Sequence, residues 1–167
     1  IMNFCPVTRA RYKNNVDYMN EAMVKEWNEI VAEEDTVYIL GDVAFLPADK
    51  AVKIMRRLNG TKILIEGNHD RKLLNDPAFR REFKEVHSYL RYNHNGQVVI
   101  MFHYPIHEWD QMHRGAVHFY GHVHGGRTGL EKYRAFDVGM DSTGEICVSM
   151  EYAIGRIKNN EIKGHHV

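Results

Sequence analysis

The sequence has few cysteines, no net charge and no long apolar run. Cys5 and Cys147 are the only cysteines among 167 residues, too few for a disulfide framework, which fits a reducing compartment. The 22 lysines and arginines balance the 22 aspartates and glutamates, so strong attraction of nucleic acid is not expected, although a local basic patch would permit it. Neither a charged-then-apolar signal-peptide pattern nor an apolar stretch long enough to cross a bilayer is present. We therefore expect a cytoplasmic protein with no membrane partner.

Repeats, low-complexity tracts and linkers rich in proline, glycine or serine are also lacking. At 167 residues, the chain is long enough to bury a substantial core. Its apolar fraction of 44% and charged fraction of 26% are ordinary for a globular protein. We therefore expect residues 1–167 to form a single domain.

The first half of the chain has an alternating strand and helix pattern. An amphipathic helix is predicted for residues 17–34, with Asp17 as a plausible N-cap. Its apolar face consists of Met19, Met23, Trp27 and Ile30. Strands are predicted for 36–41 and 62–66, with a helix between them that starts near Pro47 and ends at Asn59-Gly60. This order predicts a parallel pair of strands joined by a crossover helix.

The second half is richer in strand signals. After a short helix that opens at Asp76-Pro77, segments 86–92 and 97–103 flank Asn95-Gly96, a strong hairpin signal. A further strand is predicted for 117–121. Segments 145–150 and 152–158 also resemble strands, with a turn at Asn159-Asn160. We expect an α/β fold in which two sheets pack face to face with helices outside.

Four apolar segments each run directly into a residue that can bind a metal ion. The segments cover 36–42, 62–70, 98–103 and 117–124, and the polar residues at their ends are Asp42, Asn68, His69, Asp70, His103, His122 and His124. In α/β sheets, ligands bind outside the carboxyl ends of the strands, so these oxygen and nitrogen donors would surround one point. The pattern is typical of a divalent transition-metal site and favours a hydrolase built on it.

Individual motifs suggest separate roles. Asn68 offers a weak carbonyl ligand, whereas the adjacent His69 should point towards substrate, with Asp70 fixing its tautomer. In Gly121-His-Val-His-Gly125, the two histidines face the same side if the backbone is extended, and they could serve one metal or two.

Several nearby polar residues have two readings. Arg71 could contact a phosphate through its planar guanidinium or could simply be solvated. Asp137 and Asp141 fit turn positions as well as site positions.

In chain order, Gly41-Asp42, Gly67-Asn-His-Asp70, His103 and Gly121-His-Val-His124 resemble four of the five motifs of the calcineurin-like metallophosphoesterases. The resemblance runs over nearly all the chain, and it looks closest to the small single-domain bacterial and phage members. It implies a four-layer αββα sandwich with two mixed sheets. It also implies hydrolysis of a phosphomonoester or phosphodiester, with a small molecule or a nucleotide as substrate.

The resemblance also assigns roles to the residues. Asp42 would bridge two divalent ions, which would be Mn, Fe or Zn. Asn68, His103 and His122 would complete the coordination of one ion. His124 would bind the other. His69 would be the general acid or a transition-state contact.

The family's first motif, Asp-x-His on an opening strand, is absent from the sequence. We expect a short strand before Ile1 that ends in Asp-x-His and pairs beside 36–41. The alternative is a protein that holds only one ion well. Two further functions stay open, a non-catalytic metal-binding scaffold of the same fold and a nuclease that uses the same site.

Overall fold

The structure, a computed structural model, describes residues 10–164. The chain divides into two compact units, Ile1–His87 and Ser88–Val167. The first unit contains a three-stranded sheet and the second a four-stranded sheet, so the predicted α/β class with two sheets is confirmed. Within the described range, no helix is both long and apolar enough to cross a membrane.

The first unit alternates helices and strands as predicted. Its strands are β1 (Thr36–Ile39), β2 (Thr61–Ile65) and β3 (Glu85–His87), and its helices are α1 (Val16–Ile30), α2 (Ala48–Met55), α3 (Arg71–Leu74) and α4 (Pro77–Arg80). Both described strand pairs, β1 with β2 and β2 with β3, are parallel. The predicted parallel pair with a crossover helix is thus confirmed. Because the three strands run in one direction, their carboxyl ends share one edge of the sheet.

Helix α1 differs from the prediction at both ends. Its N-cap is Asn15, whose side chain accepts a hydrogen bond from the Tyr18 amide, so the assignment of Asp17 as the cap was wrong. Asp17 instead lies in the first turn, where its negative charge interacts favourably with the helix dipole. The helix ends at Ile30, which is 53% exposed and therefore not part of the core.

The second unit contains a mixed sheet in the order β4-β5-β6-β7. Its strands are β4 (Tyr89–His94), β5 (Gln97–Phe102), β6 (Val117–Tyr120) and β7 (Ala135–Asp137). Its α-helices are α5 (Met140–Thr143) and α6 (Met150–Ile157), and a short 3-10 helix covers Met112–Arg114. Strands β4 and β5 form the predicted hairpin, and Asn95 and Gly96 both have positive φ, as its tight turn requires. The pairs β5–β6 and β6–β7 are parallel. Three strands therefore end at the same edge of this sheet.

The predicted final hairpin of 145–150 and 152–158 was wrong. Residues Met150–Ile157 form helix α6, which begins at Ser149, whose side chain accepts a hydrogen bond from the Tyr152 amide. Ala153 and Ile157 are buried at a spacing of four residues, which is helical periodicity. The predicted strand 86–92 is also divided, because β3 belongs to the first sheet and β4 to the second.

One titratable side chain lies in the core of the second unit. His118 is fully buried on β6, and its ring centroid lies 5.5 Å from that of Trp109 and 5.3 Å from that of Tyr120. The Ile106 amide donates to Nε2 at 3.3 Å, while Nδ1 lies 3.3 Å from the Ile100 carbonyl oxygen. Both nitrogens are satisfied when the imidazole is neutral and protonated on Nδ1. Burial lowers the pKa of His118 from its usual 6.5 to about 4.

We expect His118 to make the protein less stable in acid. The unfolded chain binds a proton near pH 6.5, whereas the folded chain binds it only near pH 4, so stability falls as the pH drops through this interval. The loss approaches about 3 kcal/mol at its limit. Urea unfolding between pH 7.5 and 4.5 measures it, and His118→Gln should flatten the slope. An equally steep slope in the variant would assign the effect to other groups.

Candidate metal centre

Two site residues of the first unit lie just beyond parallel strands. Asp42 follows β1 by three residues, and Asn68 follows β2 by three residues, so both lie at the carboxyl edge of the sheet. The backbone turns sharply at Gly41 and Asp42, which have φ angles of 85° and 55°. Left-handed backbone is uncommon for a residue other than glycine, although aspartate tolerates it better than most. The turn holds Asp42 in a buried position.

Asp70 connects these two strand-end loops. Its Oδ2 accepts hydrogen bonds from the backbone amides of Asp42 at 2.8 Å and Gly67 at 2.9 Å. Its Oδ1 accepts from the Val43 amide at 2.9 Å. Asp70 is fully buried, and burial raises the pKa of its carboxyl, against the opposing effect of the three amides. These described bonds all go to backbone amides rather than to the His69 ring, so they support a positioning role for Asp70.

Replacement of Asp70 by asparagine should destabilise the protein. Amides donate to both carboxylate oxygens, so an asparagine must turn its own NH₂ group towards at least one donor. The unsatisfied amide costs about 1–3 kcal/mol of unfolding free energy, measurable by urea denaturation. Asp76→Asn is the matched control, because both amides there donate to one oxygen and asparagine can keep it. Equal stabilities of the two variants would contradict the role of Asp70.

His69 lies beside Asp42 and is accessible to solvent. Its backbone amide donates to Asp42 Oδ1 at 3.0 Å, and its ring centroid lies 4.7 Å from that of Phe45. The His69 residue is exposed, so its imidazole is accessible beside Asp42 and Phe45. Arg71 is more open, with a side chain that is 85% exposed and an Nε 3.6 Å from Glu66 Oε1.

The second unit brings together two of the predicted ligands. His103 directly follows β5 and is buried, while His122 lies two residues beyond β6 and is exposed. His103 Nε2 lies 3.2 Å from His122 Nδ1. The Tyr104 ring packs against both imidazoles, with centroid distances of 4.9 Å and 4.6 Å. Two ring nitrogens therefore face each other at the carboxyl edge of this sheet.

The backbone at Gly121–Gly125 is not extended, so the arrangement expected for an extended His-x-His pair was wrong. The Val123 amide donates to the Gly121 carbonyl at 2.8 Å, which closes a three-residue turn around His122. The φ of His122 is 70°, and a γ-turn with positive φ at its centre is the rare and strained form. His124 also has a positive φ, 50°. Strain of this kind costs about 1–3 kcal/mol per residue and is concentrated at functional sites.

His124 pairs with Asp141, a residue that the sequence allowed either in a turn or in the site. Its Nδ1 lies 2.7 Å from Asp141 Oδ2, at the start of α5. Asp137 ends strand β7 and accepts hydrogen bonds from the amides of Gly125 and Gly139. Burial raises the pKa of the Asp137 carboxyl above its ordinary value. The position of β7 beside β6 is the signal that could have marked Asp137, but a three-residue strand has no readable periodicity.

Comparison with known proteins gives little guidance on activity. No protein-family model matches the chain. An uncharacterized protein of Methanocaldococcus jannaschii, MJ1445, is 33% identical over 94 residues, which are 55% of this chain and 46% of that protein. The chain thus spans about half the length of this curated relative. A protein of unknown function from Aquifex aeolicus, AQ665, has a similar crystal structure, with a TM-score of 0.58 and 22% identity over 73% of this chain and 76% of that chain. The structural likeness supports the fold alone.

Proposed function

We propose that the chain is a metal-dependent phosphoesterase that hydrolyses a phosphomonoester or phosphodiester of a small molecule or nucleotide. The types of residue beyond the strands support this proposal. Asp42 offers a carboxylate and Asn68 an amide oxygen, while His103 and His122 offer imidazoles. Such a mixture of oxygen and nitrogen donors suits Mn²⁺, Fe or Zn²⁺. The same residues carry the resemblance to the calcineurin-like metallophosphoesterases.

The observation that supports a metal most strongly is the distance of 3.2 Å between His103 Nε2 and His122 Nδ1. Two nitrogens that bind the same Zn²⁺ each lie about 2.0–2.1 Å from it. If they subtend an angle of about 90–110° at the ion, they lie about 2.9–3.4 Å from each other. The distance between His103 Nε2 and His122 Nδ1 falls within this range, so both nitrogens could bind the same ion.

In the proposed site, Asp42 would hold both ions. Asn68, His103 and His122 would be the further ligands of one ion, and His124 would be a ligand of the other. Asp42, His103 and His122 each offer one ligand atom, a carboxylate oxygen or an imidazole nitrogen. When bound, the ions supply Lewis-acid stabilisation and a water acidic enough to act as a nucleophile at neutral pH.

The proposed role of His69 is to protonate the leaving group. The Asp42 carboxylate and the Phe45 ring hold the His69 residue, and the imidazole remains accessible to a substrate. A protonated imidazole donates its proton to the leaving alkoxide oxygen, which departs as an alcohol. Arg71, with its exposed guanidinium, would contact the phosphoryl oxygens through its planar fork.

The proposal also includes the architecture that the resemblance implies. The two sheets would pack face to face with helices outside, as a four-layer αββα sandwich in a single domain. The protein would act in the cytoplasm on a phosphate ester. A scaffold of the same fold would bind metal without turnover.

Metal binding by the His103–His122 pair is tested by isothermal titration of Mn²⁺ or Zn²⁺ into the metal-free protein. His122→Asn should lower the affinity at least about 10²-fold, because it removes a ligand whereas loss of an outer partner alone costs 10–100-fold. Asparagine tolerates the left-handed backbone at this position, so the fold should persist. His94→Asn, at the last residue of β4, is the control and should bind as the wild type does. Equal affinities in both variants would remove His122 from the site.

A further inference from the structure

His124 and Asp141 form a short pair within the second unit. The distance of 2.7 Å between Nδ1 and Oδ2 is typical of a charge-assisted hydrogen bond. A carboxylate can only accept, so the proton of this bond lies on Nδ1 of His124. A neutral imidazole carries one proton, and Nε2 is then the nitrogen with the available electron pair.

The two histidines of the loop therefore present different nitrogens. His122 directs Nδ1 towards His103, whereas His124 uses its Nδ1 to bind Asp141 and has Nε2 for a ligand. The left-handed backbone at both residues gives their side chains directions that an extended strand would not provide. The hydrogen bond made by one ring nitrogen decides which tautomer a histidine adopts, and for His124 that bond goes to Asp141.

The backbone around the pair is closely packed. Gly125 has a φ of 76°, and a Cβ there would lie 3.3 Å from the Asp141 carbonyl oxygen. The Gly125 amide also donates to Asp137 Oδ2 at 3.3 Å. These contacts hold the loop against the start of α5, so that His124 and Asp141 face each other.

Two other histidine–carboxylate pairs show what an incidental pair looks like. His87 pairs with Glu85 and His94 with Glu151, each at 2.8 Å, but these glutamate side chains are 47% and 68% exposed. The Asp141 side chain is only 11% exposed. Exposed pairs of flexible side chains contribute little. The His124 side chain is itself 41% exposed, but the short Asp141 side chain is largely covered and its backbone packs against Gly125, so this carboxylate is better fixed than the two glutamates.

We propose that Asp141 is a positioning residue that holds the proton on His124 Nδ1 and so makes Nε2 the nitrogen that His124 offers to a divalent cation. The identity of that cation site rests on the proposed function, but the tautomer does not. Without Asp141, Nδ1 would lose this acceptor, and the Nε2–H form preferred by an unconstrained histidine would become more populated. That form has no electron pair on the nitrogen that must bind.

The tautomer is measured in the metal-free protein by long-range ¹H–¹⁵N NMR of the imidazole rings at a pH where they are neutral. In the wild type, His124 should be protonated on Nδ1 and unprotonated on Nε2. Asp141→Ala should shift it towards the Nε2–H form, and Asp141→Asn, which keeps an acceptor oxygen, should shift it less. Glu151→Gln is the matched control and should change the His94 signals alone. If neither Asp141 variant folds, the wild-type spectrum alone tests the proposal, because it shows which nitrogen of His124 carries the proton.

Zn²⁺ titration supplies the second readout. Asp141→Ala should weaken binding about 10–100-fold, and Glu151→Gln should leave it unchanged. An Nε2–H tautomer in the wild type, or an unchanged tautomer in Asp141→Ala, would overturn the assignment even in an active enzyme. The predicted tautomer in a protein that binds no metal would support the positioning role and contradict the phosphoesterase proposal instead.

Discussion

Replacement of Asp42 by asparagine is expected to abolish phosphoester turnover and to lower the metal content of the protein. Asparagine keeps the shape of the side chain, can accept the His69 amide bond at Oδ1 and tolerates the φ of 55°. The folded structure should therefore persist. The variant would lose the carboxylate charge that is proposed to hold the ions. Loss of several kcal/mol of metal-derived stabilisation corresponds to a rate decrease of about 10³-fold or more.

The matched control for this variant is Asp110→Asn. Asp110 pairs with Arg91 at 3.0 Å, and both side chains are about half exposed, so its loss removes a charge of the same sign at little energetic cost. Metal content by elemental analysis and hydrolysis of nitrophenyl phosphates are measured in parallel. A wild-type metal content and near wild-type rate in Asp42→Asn would show that the site is misassigned.

His69→Ala is expected to lower kcat by about 10²–10⁴-fold while the metal content stays intact. The His69 ring is held by Phe45 on an exposed surface and is not in the proposed ligand set. Its removal should therefore affect proton transfer rather than metal binding. Asp42→Asn and His69→Ala thus differ in metal content although both lose activity.

The leaving group distinguishes a general acid from a group that stabilises charge. Nitrophenolate leaves without a proton, so the loss in His69→Ala should shrink for nitrophenyl esters and be largest for alkyl phosphates. His94→Ala is the control, because it removes an imidazole that lies outside the proposed site. This variant should hydrolyse both kinds of substrate at the wild-type rate. An equal loss on both kinds of leaving group in His69→Ala would exclude the general-acid role.

The strands that carry the candidate site were the easiest elements to predict. Strands β1, β2, β5 and β6 are mainly apolar and are followed within two residues by a glycine or a histidine, and each lies within two residues of its predicted bounds. Their order along the chain was enough to bring Asp42 and Asn68 to one sheet edge, and His103 and His122 to another. Apolar runs specify buried strands well, as in β2, β5 and β6, because both faces of such strands are covered.

The conformation beyond the strands could not be predicted in the same way. The His-x-His spacing suggests alternation only while a strand continues, and β6 ends at Tyr120, two residues before His122, the first histidine of the motif. Positive φ at His122 and His124 is a strained state that the surrounding packing maintains. Histidine rarely adopts positive φ, so the sequence alone does not predict this conformation and only the folded structure shows it.

Short elements in the second unit were also missed. Ile146, Val148, Tyr152 and Ile154 alternate along the sequence, and Gly155 lowers helix propensity, so the pattern favoured strands. Tertiary packing of Ala153 and Ile157, together with the Ser149 cap, instead stabilises helix α6. Asp141 was undecided for a related reason, since its pairing with His124 depends on a loop contact that no local pattern encodes.

The proposal of a metal-dependent phosphoesterase is tested most directly by one titration. Metal-free protein receives Mn²⁺ in steps, and bound metal and the hydrolysis of a nitrophenyl phosphodiester are recorded at each step. Hydrolysis should be absent with chelator, rise in proportion to bound metal and level off when the sites are filled. Tight binding of metal without any hydrolysis of phosphomonoesters, phosphodiesters or oligonucleotides would contradict the proposal and leave a metal-binding scaffold in its place.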